Sequence, residues 1–455
     1  MTTIFLSFMI CVFPEVGIQV LYEPDHEQLY TFDVSSDLQH WWAIGYQPGY
    51  GYRMIVDGKS YDWFEEEIDK FRVILSNDYD QVAFVAPYNG REMVVWNNVA
   101  QNEYDQVCGE YEMPLFSPDG QHLAYSAFDG EQWVVVHDGK ASPGFEGIQA
   151  PTFSNDSKHW AFAGKKAERW SLVLDGKVKA EHDYIEAVRF LPDGSLHYVC
   201  ADDDRWILVR GSKKSPSYEE ISETTVSKDG KHYAYACRTG EKWRAVHDGK
   251  EGTEYDNVKN LTLTPSGGHI AYAAGKGSWT YDGYFQYYRF DGSYTMVLDR
   301  RELLGGPEDY DIENITFSPD EAQIAYTIGK IGEQEYLVVD TTAYPAFHGI
   351  TRLVGATAAN RLAYSVYDED DRHSVIAGDQ RFGPYDYVDD LGLSADGSHV
   401  VAAVQEDGKW YVMIDGKLQD PFDRISWLRW AADRRSVGAI GVRDKALCRA
   451  VYAVQ

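Results

Sequence analysis

Three kinds of residue in this sequence stand at spacings that could do chemistry. Between residues 275 and 300 the chain carries Trp279, Tyr281, Tyr284, Phe285, Tyr287 and Tyr288, followed by Phe290 and Tyr294. Aromatic side chains at that density offer large, rigid area with polar tips, which suits contact with a protein or a glycan. Six histidines, His40, His122, His159, His232, His269 and His399, return at one position of a longer pattern. Imidazole can bind a metal or move a proton near neutral pH, but none of the six has a companion ligand at a metal-site spacing, so they read as polar residues that open a strand and not as a metal ring. Acidic turns occur at Glu65-Glu66-Glu67, Asp202-Asp203-Asp204 and Asp368-Glu369-Asp370-Asp371. Calcium is the one cation such oxygens could take, yet the alternating Asp/Asn spacing with a closing Glu is missing, so these turns read as solvated charge and no cofactor is expected.

Enzyme signatures are absent from the sequence. There is no G-x-S-x-G, no H-E-x-x-H, no phosphate-cradling glycine loop and no appended hydrolase domain, so the chain leans away from catalysis. The five cysteines, Cys11, Cys108, Cys200, Cys237 and Cys448, are odd in number, scattered and never spaced C-x-x-C. They indicate neither zinc nor a disulfide framework, although Cys200 and Cys237 fall in adjacent repeats and could approach each other.

Charge narrows the partners. Lys plus Arg number 42 against 72 Asp plus Glu, a net charge of -30, which repels a phosphate backbone at long range and argues against nucleic acid. Residues 4–13 form an apolar run without a preceding basic residue or a clear cleavage site, a poor signal peptide, and no stretch reaches the roughly eighteen apolar residues of a membrane span. Residues 1–17 are set apart as a leader-like segment. That run argues for a periplasmic or extracellular location and the unpaired cysteines for a reducing compartment, and neither decides the matter.

What must position these residues is a repeat. Ser117-Pro118-Asp119-Gly120-Gln121-His122-Leu123-Ala124-Tyr125 returns in degenerate copies beginning at residues 35, 76, 117, 154, 191, 227, 264, 318, 356, 394 and 431. The interval is near 37 residues except for one of 54, which holds the aromatic stretch. In the unit at 151–185, a short strand ends at Ser154, and the alternating run His159-Trp160-Ala161-Phe162-Ala163 makes a second. Trp170 to Leu174 makes a third, which ends in Asp175-Gly176-Lys177, a tight-hairpin signal; a fourth runs up to Asp183-Tyr184-Ile185. The second strand is bulky on one face and small on the other: Tyr233 and Tyr235 alternate with Ala234 and Ala236, and Ile270 and Tyr272 with Ala271 and Ala273. Sheets covered on both sides, large residues entering a neighbour's small face, are propeller blades.

Ser-Pro-Asp-Gly before a strand ending Ala-Tyr, then an aromatic-led strand ending Asp-Gly-Lys (57, 138, 175, 248, 415), resembles the TolB-type, WD-repeat-like β-propeller repeat family over residues 18–455. The resemblance implies an all-β fold of eleven four-stranded repeats and places the turns between second and third strands on the face that carries ligands. Eleven blades exceed the four to eight of most propellers, so two propellers of five and six blades fit better than one large ring. Residues 18–22 and 27–32 look like a third-strand remnant and a fourth strand that complete the last blade and zip the chain's ends together.

The expected function is therefore a non-enzymatic module that binds a protein or glycan through Trp279, Tyr281, Tyr284, Phe285, Tyr287 and Tyr288. The alternatives are a hydrolase or lyase with carboxylates or a bound cation in a channel, and a self-assembling structural or surface subunit, a homo-oligomer.

Overall fold

The computed structural model describes residues 17–24, 28–35, 39–68, 72–109, 112–282, 287–318, 320–330, 333–345, 347–355, 361–394, 396–430 and 435–454. Among them there is no α-helix, and the strands assort into eleven antiparallel sheets, nine of them four-stranded meanders and two, in the third and fourth blades, the same meander with its first strand split in two. The fold is a β-propeller of eleven blades. We number the blades along the chain; the first spans 28–64, the fourth 147–182, the seventh 257–305 and the tenth 387–422.

The chain divides into two compact units, one of Met1–Tyr61, Ser318–Gln323 and Ala346–Gln455, the other of Asp62–Phe317 and Ile324–Pro345. Blades nine, ten, eleven and most of the first belong to the former; blades two to eight belong, wholly or mainly, to the latter. Neither unit holds the five or six blades expected from the repeat count.

Chain ends meet inside the first unit. Gly17–Tyr22 pairs antiparallel with Ala446–Ala453 and is the fourth strand of the eleventh blade. The expected pairing of the ends is therefore present, but the roles differ: 18–22 is the fourth strand itself, while Gln28–Val34 is the first strand of the first blade. Its alternation could not say which neighbour it joins, because first and fourth strands are both single-edge partners of a meander.

The unequal faces of the second strands explain the packing. Ala234 and Ala236 of blade six receive Ile270 and Tyr272 of blade seven, and Ala83 and Val85 of blade two receive Leu123 and Tyr125 of blade three. Tyr125, Tyr235 and Tyr272 are almost wholly buried. Each such side chain contributes roughly 2 kcal/mol by leaving water, and a slot of the right depth fixes which face it enters.

First strands correct a second expectation. The fourth strand of blade four ends at His182, and Tyr184–Phe190 is already the first strand of blade five. A bulge between Glu186 and Arg189, with Ala187 at φ 54°, splits this strand and places polar residues where alternation should run. Equivalent bulges fall between Ser222 and Thr225, Lys259 and Thr262, and Glu313 and Thr316. The strand's first half thus looks in sequence like the tail of the preceding one. That half also joins blades: Arg72, Gln149 and Asn260 donate side-chain hydrogen bonds to the carbonyls of Val107, Ile185 and Ile312 on the next first strand, at 2.6, 2.6 and 2.7 Å.

One end of each blade is built from the repeated motif. The serine of Ser-x-Asp accepts the N–H of the residue five positions on and donates to its own Asp, as in Ser117 with His122 N–H (3.0 Å) and Asp119 (2.6 Å). The Asp of Asp-Gly-Lys adopts φ near 50°, as at Asp175 and Asp248, and is followed by a glycine of positive φ, the paired left-handed turn that joins third and fourth strands. Its carboxylate reaches back to the first residue of the second strand, accepting the N–H of Leu123 at Asp138, of Trp160 at Asp175 and of Tyr233 at Asp248.

Candidate functional site

The opposite end of each blade carries the turns between second and third strands and the links from one blade to the next. There the acid of the aromatic-acid pair is a structural clamp. Asp183 accepts Asp203 N–H at 2.9 Å and pairs with Arg169 at 2.6 Å; Asp256, Asp386 and Asp423 repeat this with Gly277 and Lys242, Asp407 and Arg372, and Asp444 and Lys409. Each acid therefore ties its own third strand to the following blade's turn.

The seventh blade departs from the others at this end. Its second and third strands, Ile270–Asp282 and Tyr287–Leu298, stay paired without a break from Ala271↔Leu298 to Asp282↔Tyr287. The insertion is thus an extension of the blade's own hairpin. Beyond Gly275 the paired strands add seven residues each, roughly 23 Å at the rise of a strand. Gly277 faces Gly292 across the ladder, and a Cβ on Gly277 would lie 2.1 Å from the Asp291 carbonyl oxygen, so the two backbones approach more closely than any side chain would allow.

Aromatic residues of the insertion divide by depth. Tyr294 is buried, accepts a hydrogen bond from Asn257 Nδ2 at 2.6 Å and lies under the Lys259 ammonium at 4.4 Å; burial pushes its phenol up to about 12. Phe290 packs on Tyr294 with ring centroids 5.3 Å apart, and Trp279 meets Phe290 edge-on at 5.4 Å across the strands. Trp279 remains 47% exposed. Tyr281 and Tyr288 oppose each other in register and Tyr287 opposes Asp282, whereas Tyr284 and Phe285 lie outside the described residues.

Trp279 stands over a cleft of about 970 Å³ whose other wall comes from blade six, with Glu220, Arg238, Glu241 and Trp243. The indole is held by its N–H, which donates to the Asp256 carbonyl at 3.3 Å. Arg238 is fixed by Glu220 (3.0 Å), Glu219 (3.2 Å) and the Gly240 carbonyl (3.0 Å). The Lys242 ammonium on Asp256 holds that carboxyl below the usual carboxylate range. These walls come from residues some forty positions before the insertion, and single-strand patterns carry no sign of them. A second cleft, of about 660 Å³, is lined by Trp63, Phe64, Tyr88 and two of the acidic-turn residues, Glu65 and Glu66.

Other expected candidates have defined roles. All six recurrent histidines contact the Asp of the third-to-fourth-strand turn through Nδ1, at 2.6 to 2.8 Å: His40 with Asp57, His122 with Asp138, His159 with Asp175, His232 with Asp248, His269 with Asp299 and His399 with Asp415. They do open their strands, and they lie at the end opposite the aromatic hairpin. In blades three and six a second histidine joins the pair. Asp202 is engaged by the His182 ring and the Asp183 N–H of the preceding blade, whereas Asp368 accepts the N–H groups of Asp370 and Arg372 of its own turn. Cys108, Cys200, Cys237 and Cys448 are buried free thiols, and burial pushes Cys108 and Cys237 up to about 12; Cys200 and Cys237 are not joined.

No family model and no curated protein matches the sequence. Solved structures that resemble it include a eukaryotic initiation factor (11% identity, 75% of this chain and 96% of that one, TM-score 0.39). Another is the tricorn protease (12% identity, 87% and 49%, TM-score 0.30). The β-propeller domain of Myceliophteria thermophila Cps50 (Swd1) shares 13% identity over 78% and 98%, with a TM-score of 0.23. Among the described residues no helix is long and apolar enough to cross a membrane.

Proposed function

We propose that this protein is a TolB-type β-propeller that works as a non-enzymatic interaction module, and that it holds a protein segment in the cleft between blade six and the aromatic hairpin of blade seven. The observation that carries the reading is Trp279, half exposed over a cleft of about 970 Å³ while its backbone ladder and its indole N–H hold it in place. A large rigid ring that need not be ordered on binding is what an interface anchor requires. Glu220, Glu241 and Asp256 outnumber Arg238 on the cleft's walls, and with the net charge of -30 they favour a partner segment with a basic residue beside its apolar anchor.

The test is to select peptides from a random display library on the full chain and to probe a glycan array in parallel. Enriched peptides with Lys or Arg next to an aromatic or aliphatic residue, losing affinity at least tenfold on Trp279→Ala, are expected. Glycan binding without peptide enrichment would change the partner class, and binding indifferent to Trp279→Ala would move the site elsewhere. The hydrolase alternative has one point in its favour: burial raises the Glu186 carboxyl, with Glu220 adding to the shift. Turnover of an arrayed glycan, lost in Glu186→Gln, would replace the binding reading.

A further inference from the structure

The third blade does more with its histidine than the fourth. His122 Nδ1 lies 2.7 Å from Asp138 Oδ2, as in every blade of the set, but His137, the residue just before Asp138, brings a second imidazole whose Nδ1 is 3.8 Å from the same oxygen. In blades one, four, seven and ten that position is Val56, Leu174, Leu298 and Ile414, so no second imidazole stands there. Blade six repeats the exception with His232, His247 and Asp248. In each trio the three donor atoms lie within 4.8 Å of one another.

We propose that His122, His137 and Asp138 bind a divalent transition cation of the zinc class, and that His232, His247 and Asp248 form a second, weaker site of the same kind. Two imidazole nitrogens and one carboxylate oxygen are a recurrent donor set for such ions, with a fourth position left to water. The ligands are already braced. Asp138 Oδ1 accepts Leu123 N–H at 3.0 Å, which turns Oδ2 towards both rings. His137 stacks on Trp160, 4.7 Å away and 6° from parallel, and its plane lies 20° from that of His122, whose centroid is 5.6 Å away.

Tetrahedral zinc with donors at about 2.0–2.1 Å asks for donor separations near 3.3 Å. The 2.7 Å pair must therefore open and the 3.8 Å pair must close, each by about half an ångström, and the two imidazole nitrogens, within 4.8 Å of each other, must settle at the same spacing. Burial lowers the basicity of His137, which favours the neutral, ligating form of the ring. Ligation through His122 Nδ1 uses the tautomer whose proton sits on Nε2, so the ring proton moves from Nδ1 to Nε2 and the cation takes its place between Nδ1 and Asp138. His137 also lines an open cleft of about 310 Å³, and His247 one of about 320 Å³, so an ion has a path in. The second site is weaker because His247 Nε2 is engaged by the Gly267 carbonyl at 2.9 Å. Giving up that bond should reduce affinity about five- to tenfold.

The experiment is calorimetric titration of the chelator-treated full chain with Zn²⁺, with Cu²⁺ paramagnetic resonance as a second readout of nitrogen ligation. Two equivalents of unequal affinity are expected in the natural chain. His137→Leu should remove the tighter one and His137→Leu combined with His247→Leu both, while His159→Ala leaves both in place. The leucine variants copy what blade four carries at this position, Leu174, so the fold tolerates them, and their unchanged melting without metal is the control. Absence of saturable Zn²⁺ binding in the natural chain, or equal binding in the double leucine variant, would overturn the proposal.

Discussion

Blades four and seven share a frame and differ at one end. In blade four His159 reaches Asp175 across 16 residues of chain at 2.7 Å; in blade seven His269 reaches Asp299 across 30 residues at 2.8 Å. The strand-opening amide on the carboxylate is also matched, 3.1 Å for Trp160 on Asp175 and 3.1 Å for Ile270 on Asp299. Fourteen extra residues have entered between histidine and aspartate without moving either. They leave at the opposite end of the sheet, where blade four makes a two-residue turn at Ala167 and Glu168 and blade seven a hairpin. A blade can thus lengthen where its neighbours' clamps are polar and exposed, while the end held by Ser, His and Asp stays fixed.

If the frame is the same, deleting its core should cost the same in both blades. Phe162→Ala in blade four and Tyr272→Ala in blade seven should each destabilise the chain by about 4 kcal/mol, read by urea unfolding. A blade-seven value smaller by more than about 2 kcal/mol would mean that the hairpin has loosened the sheet beneath it.

Blade five sharpens the contrast from another side. At the position of Ala161 it has His197, fully buried, and burial with Arg189 and Arg210 nearby lowers this imidazole to about 4. A lowered histidine is neutral in the folded state and protonates first in the unfolded one. Stability is therefore complete above the ordinary value of about 6.5 and falls by up to about 3 kcal/mol as the pH drops towards 4. His197→Ala, the residue blade four uses, should flatten that slope in unfolding measured from pH 7 to 4; an unaltered slope would show that His197 does not titrate with folding.

The hairpin should separate binding from stability. Trp279→Ala should leave the unfolding midpoint within about 1 kcal/mol of the natural chain, since the ring is half exposed, yet weaken a selected peptide by about 2 kcal/mol or more. Equal losses in both would make the hairpin part of the frame.

The smallest effect lies in the serine turn. Ser154→Ala should cost about 1 kcal/mol through the lost bond to the His159 amide. It should also raise the Asp156 carboxyl, held down to about 2 chiefly by the Ser154 hydroxyl and further by Lys158, part of the way towards the ordinary value of about 4, followed by carboxyl NMR. The contribution of that carboxylate is present above pH 4 and fades as the pH falls through 2 in the natural chain. Thr264→Ala in blade seven should show the first effect without the second, because Ser266 stands where blade four has Asp156.

Much of the frame was legible because it is written many times. Alternating large and small residues in the second strand, Asp-Gly before the fourth and eleven returns of one motif are local patterns, and local patterns survive in a sequence. The misread parts are those where local pattern and partner disagree. Tyr184 and Ile185 extend the look of a fourth strand but pair with the strand after them, because the Glu186–Arg189 bulge hides the continuation. Residues 18–22 and 28–34 alternate alike, and only pairing with Cys448 or with Ala43 tells their places apart. The same limit applies to the sites. Trp279 was visible as an aromatic in an insertion, whereas Arg238, Glu241 and Trp243 became its neighbours only when two blades packed. His137 and His247 carried a signal, a histidine where other repeats have Val, Leu or Ile before Asp-Gly, but it becomes meaningful only beside a strand-opening histidine from 15 residues earlier.

The measurement that bears most directly on the central claim is the affinity of the best library-selected peptide for the full chain and for Trp279→Ala, by calorimetry on proteins with matched unfolding midpoints. A loss of tenfold or more in the variant is the predicted result. Equal affinity for both proteins would contradict a binding site at the aromatic hairpin.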